Sequence, residues 1–114
     1  MPYLSIQTNK SLDKSAQATL CQKVSNLVSE LLKKPESYVM VAITDSIPML
    51  FSGTDEACAY LELKSIGLPE NSCQDFSNAL CSLVNDEIAI EKSRIYIEFS
   101  NAERHLWGWN STTF

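Results

Sequence analysis

What most constrains this chain is the order of its apolar patterns. It reads strand, helix, strand, and then the same three again, within 114 residues. Residues 2–8 alternate, with Leu4 and Ile6 set against Ser5 and Gln7, which is the period of a half-buried strand. Across residues 13–33, Leu20, Val24, Leu27, Val28, Leu31 and Leu32 recur at helical spacing and form one apolar face. Asp13 or Ser15 suits the start of that helix, Lys33 and Lys34 suit its negative end, and Pro35 stops it. Residues 37–44 read as a second strand, apolar on both faces, with a short extended piece at 47–51 and a turn at Ser52-Gly53-Thr54-Asp55.

The second half repeats the order. Residues 58–65 alternate as a strand, which Gly67 and Pro69 break. Residues 72–88 place Phe76, Leu80, Leu83, Val84 and Ile88 on one helical face, with Ser72 and Asp75 spaced as a capping box. Residues 94–99 form the last long strand, and a tail at 104–114 carries Trp107, Gly108 and Trp109. The expectation is one domain over residues 1–114 with an internal repeat at about 2–57 and 58–114. Its fold class is α+β. Each βαβ unit is a crossover joining parallel strands, and the two units meet antiparallel. The result is a four-stranded mixed sheet with both helices on one face. The other face lies bare, yet residues 38–44 are apolar on that side too. Other copies of the chain are the simplest cover, so an oligomer is expected.

Composition narrows the function. Apolar residues make up 45% and charged residues 20%, an ordinary globular balance. A net charge of -5 without a basic run argues against nucleic acid as a partner. No apolar run approaches the roughly 18 residues of a membrane span. The start, MPYLSIQTNK, has no secretory pattern, so the expected location is the cytoplasm, with leaderless export also compatible. Cys21, Cys58, Cys73 and Cys81 form no C-x-x-C pair and read as buried reduced thiols. With His105 as the single histidine, a zinc set is not expected, and a Ser-His-Asp triad has no second candidate and no G-x-S-x-G elbow. His105 reads as a surface residue. Gly53, Gly67 and Gly108 are too scattered for a phosphate loop.

Met1-Pro2 is different. Initiator methionine is normally removed before a small residue, and removal here would leave Pro2 with a free secondary amine. A free α-amino group titrates near about 8. An apolar pocket and a nearby ammonium both lower that value, and a neutral amine near pH 7 is a usable general base. The ring is rigid and begins a strand, so its nitrogen would be well placed. While Met1 is retained, that nitrogen is a tertiary amide and cannot act as a base.

Several separated motifs now join into one pattern: Met1-Pro2 opening a strand, Thr8-Asn9, Lys34-Pro35 with Tyr38 following, Ser65-Ile66-Gly67, Arg94-Ile95-Tyr96-Ile97, and Gly108-Trp109-Asn110-Ser111-Thr112 with Phe114. In order and spacing, over nearly the whole chain, this resembles the macrophage migration inhibitory factor family of the tautomerase superfamily. The resemblance implies a homotrimer with active sites at subunit boundaries. It also implies cofactor-independent keto–enol tautomerisation of phenylpyruvate-like or dopachrome-like acids. Carried over by position, Pro2 is the base, and Lys34 holds the substrate's carboxylate or carbonyl oxygen and depresses the Pro2 pKa. Ile66 offers a backbone N–H beside Ser65. Tyr96 comes from a neighbouring subunit, and Tyr38, Trp109 and Phe114 line the pocket mouth.

The departures from that family also carry meaning. Glu98 stands where the animal cytokines carry asparagine. A carboxylate there would weaken binding of anionic substrates or shift the pKa of Pro2. Trp107 stands in place of valine and would narrow or reshape the pocket. Cys58-Ala59-Tyr60-Leu61 lacks the second thiol of the family's C-x-x-C motif, so thiol oxidoreductase activity is not expected. Two further readings stand beside the enzyme. One is a signalling or interaction protein that uses the trimer surface and retains only vestigial tautomerase activity. The other is a purely structural trimer.

Overall fold

The computed structural model describes residues 1–114. Four strands, β1 (Tyr3–Thr8), β2 (Met40–Thr44), β3 (Ala59–Ile66) and β4 (Ile95–Ala102), form one sheet in the order β2-β1-β3-β4. β1 and β2 run parallel, as do β3 and β4, and β1 meets β3 antiparallel. Helices α1 (Lys14–Leu32) and α2 (Cys73–Ile88) make the two crossovers. The expected α+β architecture of two βαβ units is therefore present.

Alternation along the strands decides the two faces. Leu4, Ile6, Leu61 and Leu63 are buried against Leu20, Val24, Val28 and Leu32 of α1 and Phe76, Leu80, Val84 and Ile88 of α2. The intervening residues form an open face: Tyr3, Ser5 and Gln7 on β1, Tyr60, Glu62 and Lys64 on β3, and Tyr96 and Glu98 on β4. That face is polar along its centre. Only its rims are apolar, where Met40 and Tyr96 are each 64% exposed. The sequence argument for a bare apolar face thus applies to the edge strand β2 and not to the sheet as a whole, because only β2 is apolar on both sides.

Several local details differ from the sequence reading. The second strand begins at Met40, since Glu36–Tyr38 forms a 3-10 turn after Pro35. The last long strand extends to Ala102. Ser72 makes no side-chain cap on α2: residues Glu70–Ser72 are already a 3-10 turn that runs directly into the helix. The expected cap on α1 does form, where the Ala16 N–H donates to Asp13 Oδ1 at 2.7 Å. Residues 47–51 add no strand beyond a single bridge between Phe51 and Thr54. Of the four cysteines, which are all free, only Cys58 is buried, while Cys21, Cys73 and Cys81 are half-buried. No helix is long and apolar enough to cross a membrane.

Candidate active site

α1 ends with Lys33 in the left-handed region at φ 53, where its N–H donates to Glu30 O and the next N–H, of Lys34, donates to Ser29 O at 3.1 Å. Such a C-terminal turn satisfies carbonyls that the helix leaves open. The Ser29 hydroxyl then donates to Lys34 O at 2.6 Å, so the Lys34 backbone is held from both sides. Its side chain reaches across to β3, where Nζ donates to Ile66 O at 3.0 Å.

Pro2 immediately precedes β1 and is fully buried. Proline suits this place because its missing N–H removes nothing from the ladder. Its carbonyl accepts from the Met40 N–H at 3.0 Å, which ties the chain start to the edge strand. The terminal amine, here on Met1, has its pKa lowered from 8.0, first by burial and second by the Lys34 ammonium. The start of β1 is thus a place where an amine is driven toward its neutral form.

The tail folds over this point. β5 (Gly108–Trp109) and β6 (Thr112–Thr113) pair as a hairpin, with Asn110 at φ 50 and Ser111 at φ 65 in its turn. Positive φ at both central residues is what a tight two-residue hairpin needs, and asparagine tolerates it well. The Phe114 N–H donates to Trp107 O at 3.2 Å and closes the loop. Trp109 and Phe114 stack with centroids 5.5 Å apart, and Tyr38 meets both edge-on at 6.0 and 6.1 Å. This aromatic group forms one wall of a recess of about 520 Å³ that also contains Met1, Pro2 and Trp107. Its size suits a small organic molecule. A larger recess of about 660 Å³, beside Asn9 and residues 46–50, holds none of the candidate residues.

Pro2, Tyr38, Trp107, Trp109 and Phe114 are therefore brought together in one recess. Lys34, Ser65 and Ile66 do not line this recess, although the Lys34 charge acts on the terminal amine and its Nζ is held on the Ile66 carbonyl. The Ile66 carbonyl is already engaged by Lys34, and Ser65 is buried with its hydroxyl on Ile66 O at 3.2 Å. Tyr96 and Glu98 are not in this recess. Tyr96 packs on Phe51 at 4.6 Å and lines a separate hollow of about 280 Å³. Glu98 accepts from the Tyr60 hydroxyl at 2.9 Å, which raises the Tyr60 pKa to about 12.

Two residues have roles the sequence reading did not assign. Lys64 lines the recess, because the antiparallel register sets it opposite Tyr3. No spacing within one strand reveals that pairing. Arg94 stood only as part of a motif. Its guanidinium donates to the carbonyls of Ala57, Phe51, Thr54 and Glu56 and lies 5.2 Å from the centre of the Phe51 ring. It pins the loop between β2 and β3. His105 is exposed, 3.5 Å from Glu103, and takes no part.

Comparison with known proteins places this arrangement. Residues 1–114 match the family model described as macrophage migration inhibitory factor (MIF). A macrophage migration inhibitory factor homolog of Wuchereria bancrofti is 38% identical over 115 residues, covering 100% of this chain and 99% of the relative. The crystal structure of a homologue from Prochlorococcus marinus superposes with a TM-score of 0.92 at 39% identity, covering 98% of both chains. The macrophage migration inhibitory factor structure from Trichinella spiralis gives 0.90 at 32% identity, covering 98% of this chain and 99% of the other.

Proposed function

Because the chain belongs to the macrophage migration inhibitory factor family, within the tautomerase superfamily, we propose that it is a cofactor-independent keto–enol tautomerase of phenylpyruvate-type acids. The base is the Pro2 amine, freed when Met1 is removed. In the keto-to-enol direction, Pro2 nitrogen takes a proton from the carbon next to the substrate carbonyl. The electron pair moves onto the carbonyl oxygen, which then takes up a proton. The reverse path runs from enol to ketone, and the net change is an isomerisation with no electron gained or lost.

Lys34 acts in two ways. Its charge favours the neutral amine before reaction. It also favours the oxygen on which negative charge develops. The aromatic group of Tyr38, Trp109 and Phe114 offers a flat apolar wall to the substrate ring. The observation that carries this reading is the terminal amine beside a buried Pro2, pushed toward neutrality by burial and by Lys34, at the edge of an aromatic recess.

The active assembly is proposed to be a homotrimer, in which Tyr96 of one copy completes the recess of another. Two features support this. Tyr96 is 64% exposed in one chain, and it lies outside that chain's own recess. A solution mass near three times 12.7 kDa is the expected result, and a monomer would reject it.

Conversion of the phenylpyruvate enol, followed by ultraviolet absorbance, tests the reaction. Intact mass of the same sample should show a chain beginning at Pro2. Activity should be lost in Pro2→Gly with the assembly intact. Activity equal to wild type in that variant, or in a sample that retains Met1, would reject the mechanism.

A further inference from the structure

Lys64 shares the recess with Pro2, yet the proton transfer above makes no use of it. It projects from the open face of the sheet, about half exposed, and its ammonium lies 3.4 Å from Glu62 two residues earlier on the same strand. Lys34, two residues past the end of α1, is anchored on Ile66 O. Lys64 and Ile66 are two residues apart on β3, which is about 7 Å along a strand. The start of β1 is thus flanked by two ammonium groups held at separate points, and the aromatic wall stands beside them.

A monoanionic keto acid, whose adjacent carboxylate and carbonyl oxygens both fall to Lys34, leaves the second ammonium without a use. Glu62 does not neutralise it firmly, since an exposed ion pair of this kind adds little and can be exchanged for an incoming carboxylate. The neighbouring carboxylate, Glu98, is occupied by the Tyr60 hydroxyl. We propose that Lys64 is a specificity-determining residue that receives a second acidic group. The preferred substrates are then enolisable keto acids with another carboxylate remote from the reacting carbons. The chemical step rests on the tautomerase reading, but the recognition of a dianion does not.

Two unreactive acids separate these claims. Binding of 3-phenylpropanoate and of 3-(4-carboxyphenyl)propanoate is measured by calorimetry at low salt on wild type, Lys64→Met and Lys64→Arg. In wild type the second carboxylate should tighten binding by about 5–30-fold, the range of a charge-assisted contact. Lys64→Met should erase that increment and Lys64→Arg should keep most of it. No increment in wild type, or the same increment in Lys64→Met, overturns the assignment. In turnover, the ratio of kcat/KM for the 4-carboxyphenylpyruvate enol over the phenylpyruvate enol should fall in Lys64→Met through KM. Should neither enol react while the binding increment follows Lys64, the reaction is wrong and the recognition stands. Should both enols react while the increment ignores Lys64, the reaction stands and the recognition falls.

Discussion

The Lys34 ammonium donates to the Ile66 carbonyl oxygen at 3.0 Å and so bridges the end of α1 to the end of β3. The contact sets a flexible side chain at the start of β1. In Lys34→Ala, kcat/KM for enol conversion should drop by about 10²–10³-fold, the usual cost of losing one donor that stabilises developing charge. Stability should change little, because the Ile66 carbonyl left behind still accepts from the Ser65 hydroxyl at 3.2 Å. A variant that keeps wild-type turnover would remove Lys34 from the mechanism.

The pH dependence has a definite sign. Burial and Lys34 hold the Met1 amine below its ordinary 8.0, and Pro2, once it is the terminus, is expected to meet the same two influences. A base works only when neutral, so kcat/KM should fall with acid through a midpoint below 8.0. Without the Lys34 charge that midpoint should move up. For stability, the folded amine binds its proton less tightly than the unfolded one. Protonation therefore opposes folding, and stability rises with pH from the lowered value to about 8 and levels off above it. Rate profiles and urea melts across that window check both statements. An acid limb unmoved in the Lys34→Ala protein would contradict the coupling.

Tyr60 offers a spectroscopic check on the open face. Its hydroxyl donates to Glu98, and this bond is the main cause that lifts its pKa to about 12. Alkaline titration, read from phenolate absorbance, should show a Tyr60 step at about 12. In Glu98→Gln that step should move down toward 10, because the amide carries no charge to oppose the phenolate. A titration identical in the two proteins would mean that the bond does not persist in solution.

Arg94 anchors the loop between β2 and β3 through four carbonyl acceptors. Arg94→Met should destabilise the fold by about 2–3 kcal/mol, since several charge-assisted bonds are lost together. Arg94→Lys should recover little, as one ammonium cannot reproduce a planar fork. The urea midpoint at constant slope measures both.

The framework was legible because its signals are local. The alternation at Leu4 and Ile6 and the helical stripes ending at Leu32 and Ile88 each lie within one element. The limits of that reading are physical too. Whether Ser72 caps α2 depends on the backbone before it, which is already turning. Pro2 and the aromatic tail were recognisable as motifs. Lys64 was not, because its membership of the site follows from a cross-strand register. Nor does a sequence show that the open face is polar at its centre, which emerges only when β1, β3 and β4 are laid side by side.

Both helices end in the same joint. Lys33 and Ala89 each take a left-handed φ, 53 and 56, and each is followed two residues on by an extended residue, Pro35 or Glu91, with ψ 137. The residue between differs. In the first half it is Lys34, whose charge reaches Ile66; in the second it is Ile90, sealed in the core. One turn delivers an ammonium and its twin delivers hydrocarbon, so only the first half sets a cation at this joint. Writing a lysine at Ile90 would bury an unpaired charge in hydrocarbon, so pseudo-symmetry alone could not repeat the Lys34 arrangement there.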